Sequence, residues 1–186
     1  TRCSRDWSSD VCSSDLAKSK IFQNQTGQDT LIYFESDQFL SQMVNSAKSK
    51  RVSYTLKNSE CHDFSNENLF GDHNRLNICA AVLAARALGV SDAVIREKVA
   101  SFQPLEHRLE TVANERGVLI INDSKGTNPD STIIAIQAFL SPVHLILCGK
   151  DKGLPLEAFA KFVVSHVKTV TIFGEIKKRL VPILKQ

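Results

Sequence analysis

Apolar and polar positions recur along this chain with two different periods, and each change of period marks an element. Leu31, Ile32, Tyr33 and Phe34 form a short apolar run that predicts a strand, and a helix is expected from Asp37 through Phe39, Leu40, Met43 and Val44. Arg51 to Leu56 alternates, with Val52, Tyr54 and Leu56 on one face, as a second strand would. Residues 57–70 are polar and turn-rich, with a short strand expected near Cys61 to Phe64. The segment from Gly71 to Asn77 opens an Ala-rich helix that runs to about Leu88 and stops at Gly89. Ser91 caps another helix, whose Val94, Ile95, Val99 and Phe102 share helical spacing and are expected in a core. Pro104 ends it.

The second half repeats a strand–loop–helix order. Arg108 to Ala113 and Val118 to Ile121 flank Asn114-Glu115-Arg116-Gly117, a hairpin with glycine at its end. Val118 to Ile121 is a continuous apolar run, expected as a strand buried on both faces. A helix follows through Ile133, Ile134, Ile136, Ala138 and Leu140, then a buried strand from Val143 to Cys148. Pro155 starts a helix through Phe159, Phe162 and Val163; Val170 to Phe173 is a further strand, and Glu175 begins a last helix. This order predicts an α/β fold with a parallel, doubly wound sheet and a ligand site at the carboxyl ends of its strands.

Composition narrows the class. The 186 residues, with a formal net charge of +3, suit a globular protein able to bury a real core. Lys177, Lys178 and Arg179 are the only basic run, a solvated helix face rather than a nucleic-acid footprint. No apolar run is long enough to span a membrane. The five cysteines show neither C-x-x-C pairing nor zinc spacing, and Cys79 and Cys148 sit in apolar runs where a free thiol serves as a small hydrophobe. A reduced cytoplasm is the expected compartment. Residues 1–16 differ from the rest, with Ser and Asp recurring without period, and are read as a non-native or disordered tail.

The chemistry gathers in residues 117–132. The apolar strand ends abruptly in Asn122, Asp123, Ser124 and Lys125; Gly126 permits a sharp turn; Asn128 and Pro129 are a helix N-cap and first position, with Asp130 in the first turn. Strand, polar loop and helix N-terminus together form an anion-binding corner in open α/β sheets. Asn-Asp-Ser-Lys-x-Thr-Asn-Pro-x-Ser-Thr resembles the opening of the C-terminal domain of Mur ligases, in the branch that adds D-glutamate. Gly71-Asp72-His73-Asn74-Arg75-Leu76-Asn77 resembles the Gly-x-His-Asn-x-x-Asn motif shared by Mur ligases and folylpolyglutamate synthases. The run from Phe102 to Glu110, with His107 and Arg108, resembles the family's interdomain hinge, and Gly149-Lys150-Asp151-Lys152-Gly153 resembles its Gly-Gly-x-Asp-Lys-Gly, with Cys148 in place of the first Gly.

The resemblance implies the second half of a Mur ligase central ATPase domain over residues 17–103 and a truncated, Rossmann-like, mostly parallel C-terminal domain over 104–186. It implies amide-bond formation driven by ATP and Mg2+, in which UDP-N-acetylmuramoyl-L-alanine is activated as an acyl phosphate and attacked by D-glutamate, in cytoplasmic peptidoglycan precursor synthesis. Carried over by motif, Asn74, Asn77, His107, Arg108 and Asp123 are the nucleotide-binding candidates. Lys125, Thr127 and Lys152 are the D-glutamate-binding candidates, with Lys125 and Lys152 also the catalytic ones. No residue here is assigned to metal, since no phosphate loop is found and the family's magnesium ligands precede this stretch. The chain is therefore expected to be an inactive internal fragment of an enzyme that is monomeric when complete and binds neither nucleic acid nor membrane. Two other readings remain: a non-catalytic module binding a nucleotide or acidic amino acid, and a ligase of this fold adding another amino acid or polyglutamylating folate.

Overall fold

The computed structural model describes residues 20–57 and 59–185. Residues 1–16, expected to be a tail, lie outside the described residues. The described chain groups into two compact units: residues up to Phe64 with Leu76–Arg96, and Ser65–Arg75 with Glu97 onward.

In the first unit, β1 (Thr30–Phe34) pairs in parallel with β2 (Lys50–Tyr54), Thr30 facing Lys50 and Phe34 facing Tyr54. A parallel pair needs a crossover. Here it is α1 (Gln38–Met43) followed by a 3-10 turn, Val44–Ser46. Asp37 caps α1 by accepting the Leu40 N–H at 3.0 Å. The helix α2 (Asp72–Ala87) has its first turn in the second unit and its remainder in the first. It stops as its sequence predicts: Gly89, at φ 78°, lets Gly89 N–H reach Arg86 O and Val90 N–H reach Ala85 O.

Two expectations fail in this unit. The segment near Cys61 to Phe64 is not a strand: Ser59–Cys61 is a 3-10 turn and the chain continues in turns. Cys79 is not a free thiol, because Cys61 and Cys79 are joined by a disulfide with Cα atoms 5.3 Å apart. The rest of the segment is held by cations: Arg86 and Arg96 lie 5.3 Å and 4.9 Å from the centre of the Phe64 ring, and Arg86 forks onto the Asp92 carboxylate at 2.8 Å and 2.7 Å. A polar, turn-rich stretch without strand periodicity thus gains its order from side chains rather than from a ladder.

The helix α3 (Asp92–Ser101) also departs from expectation. Of its apolar stripe only Ile95 is buried; Val94 and Phe102 are about half exposed. Its C-terminal carbonyls are satisfied by one buried amide, since Asn66 donates to Val99 O and Phe102 O, each at 2.7 Å.

The second unit begins with an antiparallel hairpin, β3 (Glu110–Glu115) and β4 (Val118–Asn122). Its two turn residues, Arg116 (φ 51°) and Gly117 (φ 81°), are both left-handed, the geometry that matches strand twist in a two-residue hairpin. β4 is not buried on both faces as expected: Val118, Leu119 and Ile120 are all exposed. Among the described residues it pairs with β3 alone, and these side chains are left open to solvent. The parallel order continues in β5 (Val143–Cys148), α4 (Pro129–Gln137) preceding it, and β6 (Val167–Phe173), joined to β5 by α5 (Glu157–His166). A last helix, α6 (Lys177–Leu184), packs Leu180 against Leu156, Phe159, Ala160 and Val163. β5 contributes only Leu145 and Leu147 to that cluster, while His144, Ile146 and Cys148 face outward, so it is buried on one face rather than two. The outcome is a mixed α/β fold whose sheets are mostly parallel.

Candidate functional site

The polar loop after β4 is built before any ligand is considered. Gly126 N–H closes a turn onto Asp123 O at 2.8 Å, and Ser124 N–H donates to the Asn122 side chain at 3.1 Å. Gly126 has to be bare here, because a Cβ would stand 2.6 Å from the Asp123 carboxylate and 3.1 Å from its carbonyl. At the far end, Asn128 accepts Ser131 N–H at 2.8 Å and Ser131 Oγ returns to Asn128 N–H at 3.3 Å, a reciprocal cap ahead of Pro129.

The preceding segment is laid against this loop under strain. His107 (φ 65°) and Leu109 (φ 48°) are left-handed, which costs about 1–2 kcal/mol for each side-chain-bearing residue. Several bonds hold them there. Leu109 N–H donates to Asp123 Oδ1 at 3.1 Å, Lys125 N–H donates to His107 O at 3.0 Å, and the Asn122 amide meets His107 Nδ1 at 2.9 Å. Glu110 accepts His107 N–H at 2.8 Å and sets its carboxylate 3.4 Å from the ring. Left-handed backbone stabilised by so many partners is typical of functional segments.

The first turn of α2 contributes His73, which is half-buried. Burial holds its pKa below the ordinary histidine value, against the opposing fields of Asp123 and Asp72 and with help from Arg108. Gly71, at φ 82°, lets this turn approach Ala138 so closely that a Cβ would come within 2.8 Å of the alanine methyl. Asn74 turns its amide onto Phe70 O at 2.9 Å, and Asn77, one turn further along α2, is exposed.

From the end of β5 comes the second loop. Lys152 reaches across and donates to Thr127 O at 3.0 Å, joining the two loops. Asp151 accepts Gly153 N–H at 2.9 Å and is paired with Arg179, whose other arm donates to Leu154 O at 3.0 Å. The Gly153 N–H, and then Arg179, hold the Asp151 carboxyl below the usual carboxylate range. Cys148, standing where a glycine was expected, keeps a backbone outside the left-handed region. Among the described residues no group of three His, Cys, Asp or Glu side chains is arranged to hold a metal.

Within the second unit, then, His107, Asp123 and Lys125 share one network, and Thr127 and Lys152 share one contact. Lys125, Thr127, Lys152, His107 and Arg108 are exposed and Asp123 is half-buried. Sequence reasoning missed Glu110, whose signal was its spacing three residues after His107, and Arg179, which carried none.

No family model matches the chain. It is 32% identical to the UDP-N-acetylmuramoylalanine–D-glutamate ligase of Lachnospira eligens, in a match covering 91% of this chain and 42% of that protein. The chain belongs to the Mur ligase family. It spans about two fifths of that relative's length. The Mur ligase fold extends to solved structures at lower identity. The UDP-N-acetylmuramoylalanyl-D-glutamyl-2,6-diaminopimelate–D-alanyl-D-alanyl ligase of Acinetobacter baumannii has a TM-score of 0.71 at 21% identity, over 91% of this chain and 44% of that one. A Mur ligase of Thermotoga maritima, solved in complex with ADP, has a TM-score of 0.57 at 16% identity, over 90% of this chain and 56% of that one.

Proposed function

We propose that the complete protein to which this chain belongs is an ATP-dependent ligase joining D-glutamate to UDP-N-acetylmuramoyl-L-alanine, a cytoplasmic step of peptidoglycan precursor synthesis. The observation that carries this reading is the Lys152–Thr127 hydrogen bond at 3.0 Å, which brings the Asp-Ser-Lys-Gly-Thr-Asn-Pro loop and the Lys-Asp-Lys-Gly loop together. Lys125, Thr127 and Lys152 then offer two ammonium groups and a hydroxyl to the carboxylates of an acidic amino acid. Orienting that amine toward an activated carboxyl group is where such a site gains rate. Cations beside it also stabilise negative charge as it develops on oxygen.

The residues fit a nucleotide in kind. Asp123, kept in place by the bare backbone of Gly126, suits ribose hydroxyls. Arg108 suits phosphate oxygens, and the amides of Asn74 and Asn77 both donate and accept, as a base edge requires. His107 is held in place by Asn122 and Glu110. When bound with Mg2+, ATP supplies the phosphoryl group that activates the acceptor carboxylate. Residues 17–103 are proposed as part of the central domain and 104–186 as the C-terminal domain. The complete enzyme is proposed to act as a monomer, and the chain by itself to lack ligase activity.

The test is phosphate release by the complete enzyme with UDP-N-acetylmuramoyl-L-alanine and each of several amino acids. D-Glutamate is expected to be preferred, and Lys152→Ala to raise its KM. Preference for another amino acid would reassign the enzyme within the family. An unchanged KM in Lys152→Ala would remove Lys152 from the site.

A further inference from the structure

We infer that Arg179 is a positioning residue for Lys152, acting through Asp151 and the turn that ends at Leu154; the inference rests on the amino-acid site proposed above. Lys152 is flanked by two fixed points. On one side the Asp151 carboxylate accepts both the Gly153 N–H, at 2.9 Å, and Nη1 of Arg179. On the other, Leu154 O accepts from Nη2 of Arg179 at 3.0 Å. One guanidinium therefore grips the turn before and after the lysine, which its planar fork allows and a lysine's single ammonium does not.

The grip has a rigid base. Leu180, the next residue, is 1% exposed within the apolar cluster of the second unit. The start of α6 is tied to the start of the same loop, because Ile176 N–H donates to Gly149 O at 3.1 Å. Gly174, at φ 80°, packs so tightly there that a Cβ would meet Gly149 O at 2.9 Å. The 149–154 loop is thus clasped at both ends by one helix. Lys152 itself has a long, flexible side chain whose ordering costs entropy when its base is loose. Holding its backbone shortens the list of places its Nζ can occupy, so the contact with Thr127 O is set in advance of any ligand.

The inference is tested in the complete enzyme with Arg179→Ala, Arg179→Lys and Asp151→Asn, following phosphate release against D-glutamate at saturating ATP and acceptor, and against ATP at saturating D-glutamate. Arg179→Ala is expected to raise the D-glutamate KM about tenfold while leaving the ATP KM within about twofold. Arg179→Lys, which keeps the charge but not both donors, and Asp151→Asn, which keeps the acceptor for Gly153 but not the ion pair, should each fall between wild type and Arg179→Ala. A D-glutamate KM within about twofold of wild type in Arg179→Ala overturns the inference and leaves the proposed site standing. Equal rises in both KM values, together with a lowered Tm, overturn it in favour of a general structural role. A wild-type enzyme that is active with another amino acid and not with D-glutamate overturns the site itself, and the inference with it.

Discussion

The second unit holds its two polar loops by different means. The loop after β4 is stabilised mainly by its own residues, through the Asp123–Gly126 turn and the Asn128–Ser131 cap, and by the His107–Glu110 segment that leads into the hairpin. The loop after β5 is held from a distance, by an arginine 28 residues further along the chain on a helix that is itself fixed by a buried leucine. A locally built loop survives changes elsewhere in the fold. A remotely clasped one inherits the stability of its clasp, and so can be loosened without touching a single residue of its own.

The largest effect should come from breaking the base of the clasp. Leu180→Ala removes a side chain from the apolar cluster and is expected to cost about 3 kcal/mol, read by chemical denaturation of the complete protein. Hydrogen exchange would sharpen the contrast: the Gly153 N–H should exchange faster in this variant, while the Ser131 N–H, held within the first loop, should keep its relative protection. Equal acceleration at both would erase the distinction between the loops.

A smaller loss, about 1 kcal/mol, is expected from Asn128→Ala, which removes the cap at the start of α4. Here the order of the two amides should reverse, with Ser131 accelerated and Gly153 unmoved. Gly126→Ala should act on the same side by pushing the Asp123 carboxylate out of its bond to Leu109 N–H. Its expected signature is weaker nucleotide binding, by about threefold to tenfold in Kd, since each factor of ten reflects only about 1.4 kcal/mol. Calorimetry with ADP on the complete protein would decide this, and an unchanged Kd would detach Asp123 from the nucleotide.

The smallest effects are those of pH, and they separate the loops by window. Asp151 has its pKa lowered in the folded protein, so its contribution is fully present above the ordinary Asp value and is lost only as pH falls through the lowered one. Near the first loop, His73 is also lowered, chiefly by burial. For a histidine this means that the unfolded chain binds the extra proton first, so stability begins to decline as pH falls through the ordinary value of about 6.5. The stability of His73→Gln should therefore vary less between about pH 5 and 7 than that of wild type, with no change in the acid limb assigned to Asp151.

The same contrast explains what could be seen in the sequence. Asn128, Pro129 and Gly126 specify their conformations through neighbours one to three residues away, so the first loop and its helix start were legible. The hairpin turn at Arg116 and Gly117 and the stop at Gly89 were legible for the same reason. Arg179 was not, because it sits in a basic run that describes a solvated face equally well. The buried character assigned to Val118–Ile121 failed because periodicity reports how apolar a strand is and not what lies against it. Cys61 and Cys79 escaped notice because their pairing depends on how a turn-rich segment lies against α2.

That pairing has a topological consequence. The two cysteines stand 18 residues apart in sequence, and the stretch between them leaves the first unit for Ser65–Arg75 and returns to it at Leu76. With the disulfide formed, this excursion is a closed ring rather than an open strand of chain. A protease that nicks it once would release nothing: the two pieces would migrate together until a thiol reductant was added. In a reducing solution the same cut would leave two unlinked pieces, so whether the nicked protein remains one covalent molecule would depend on the redox poise of the solution.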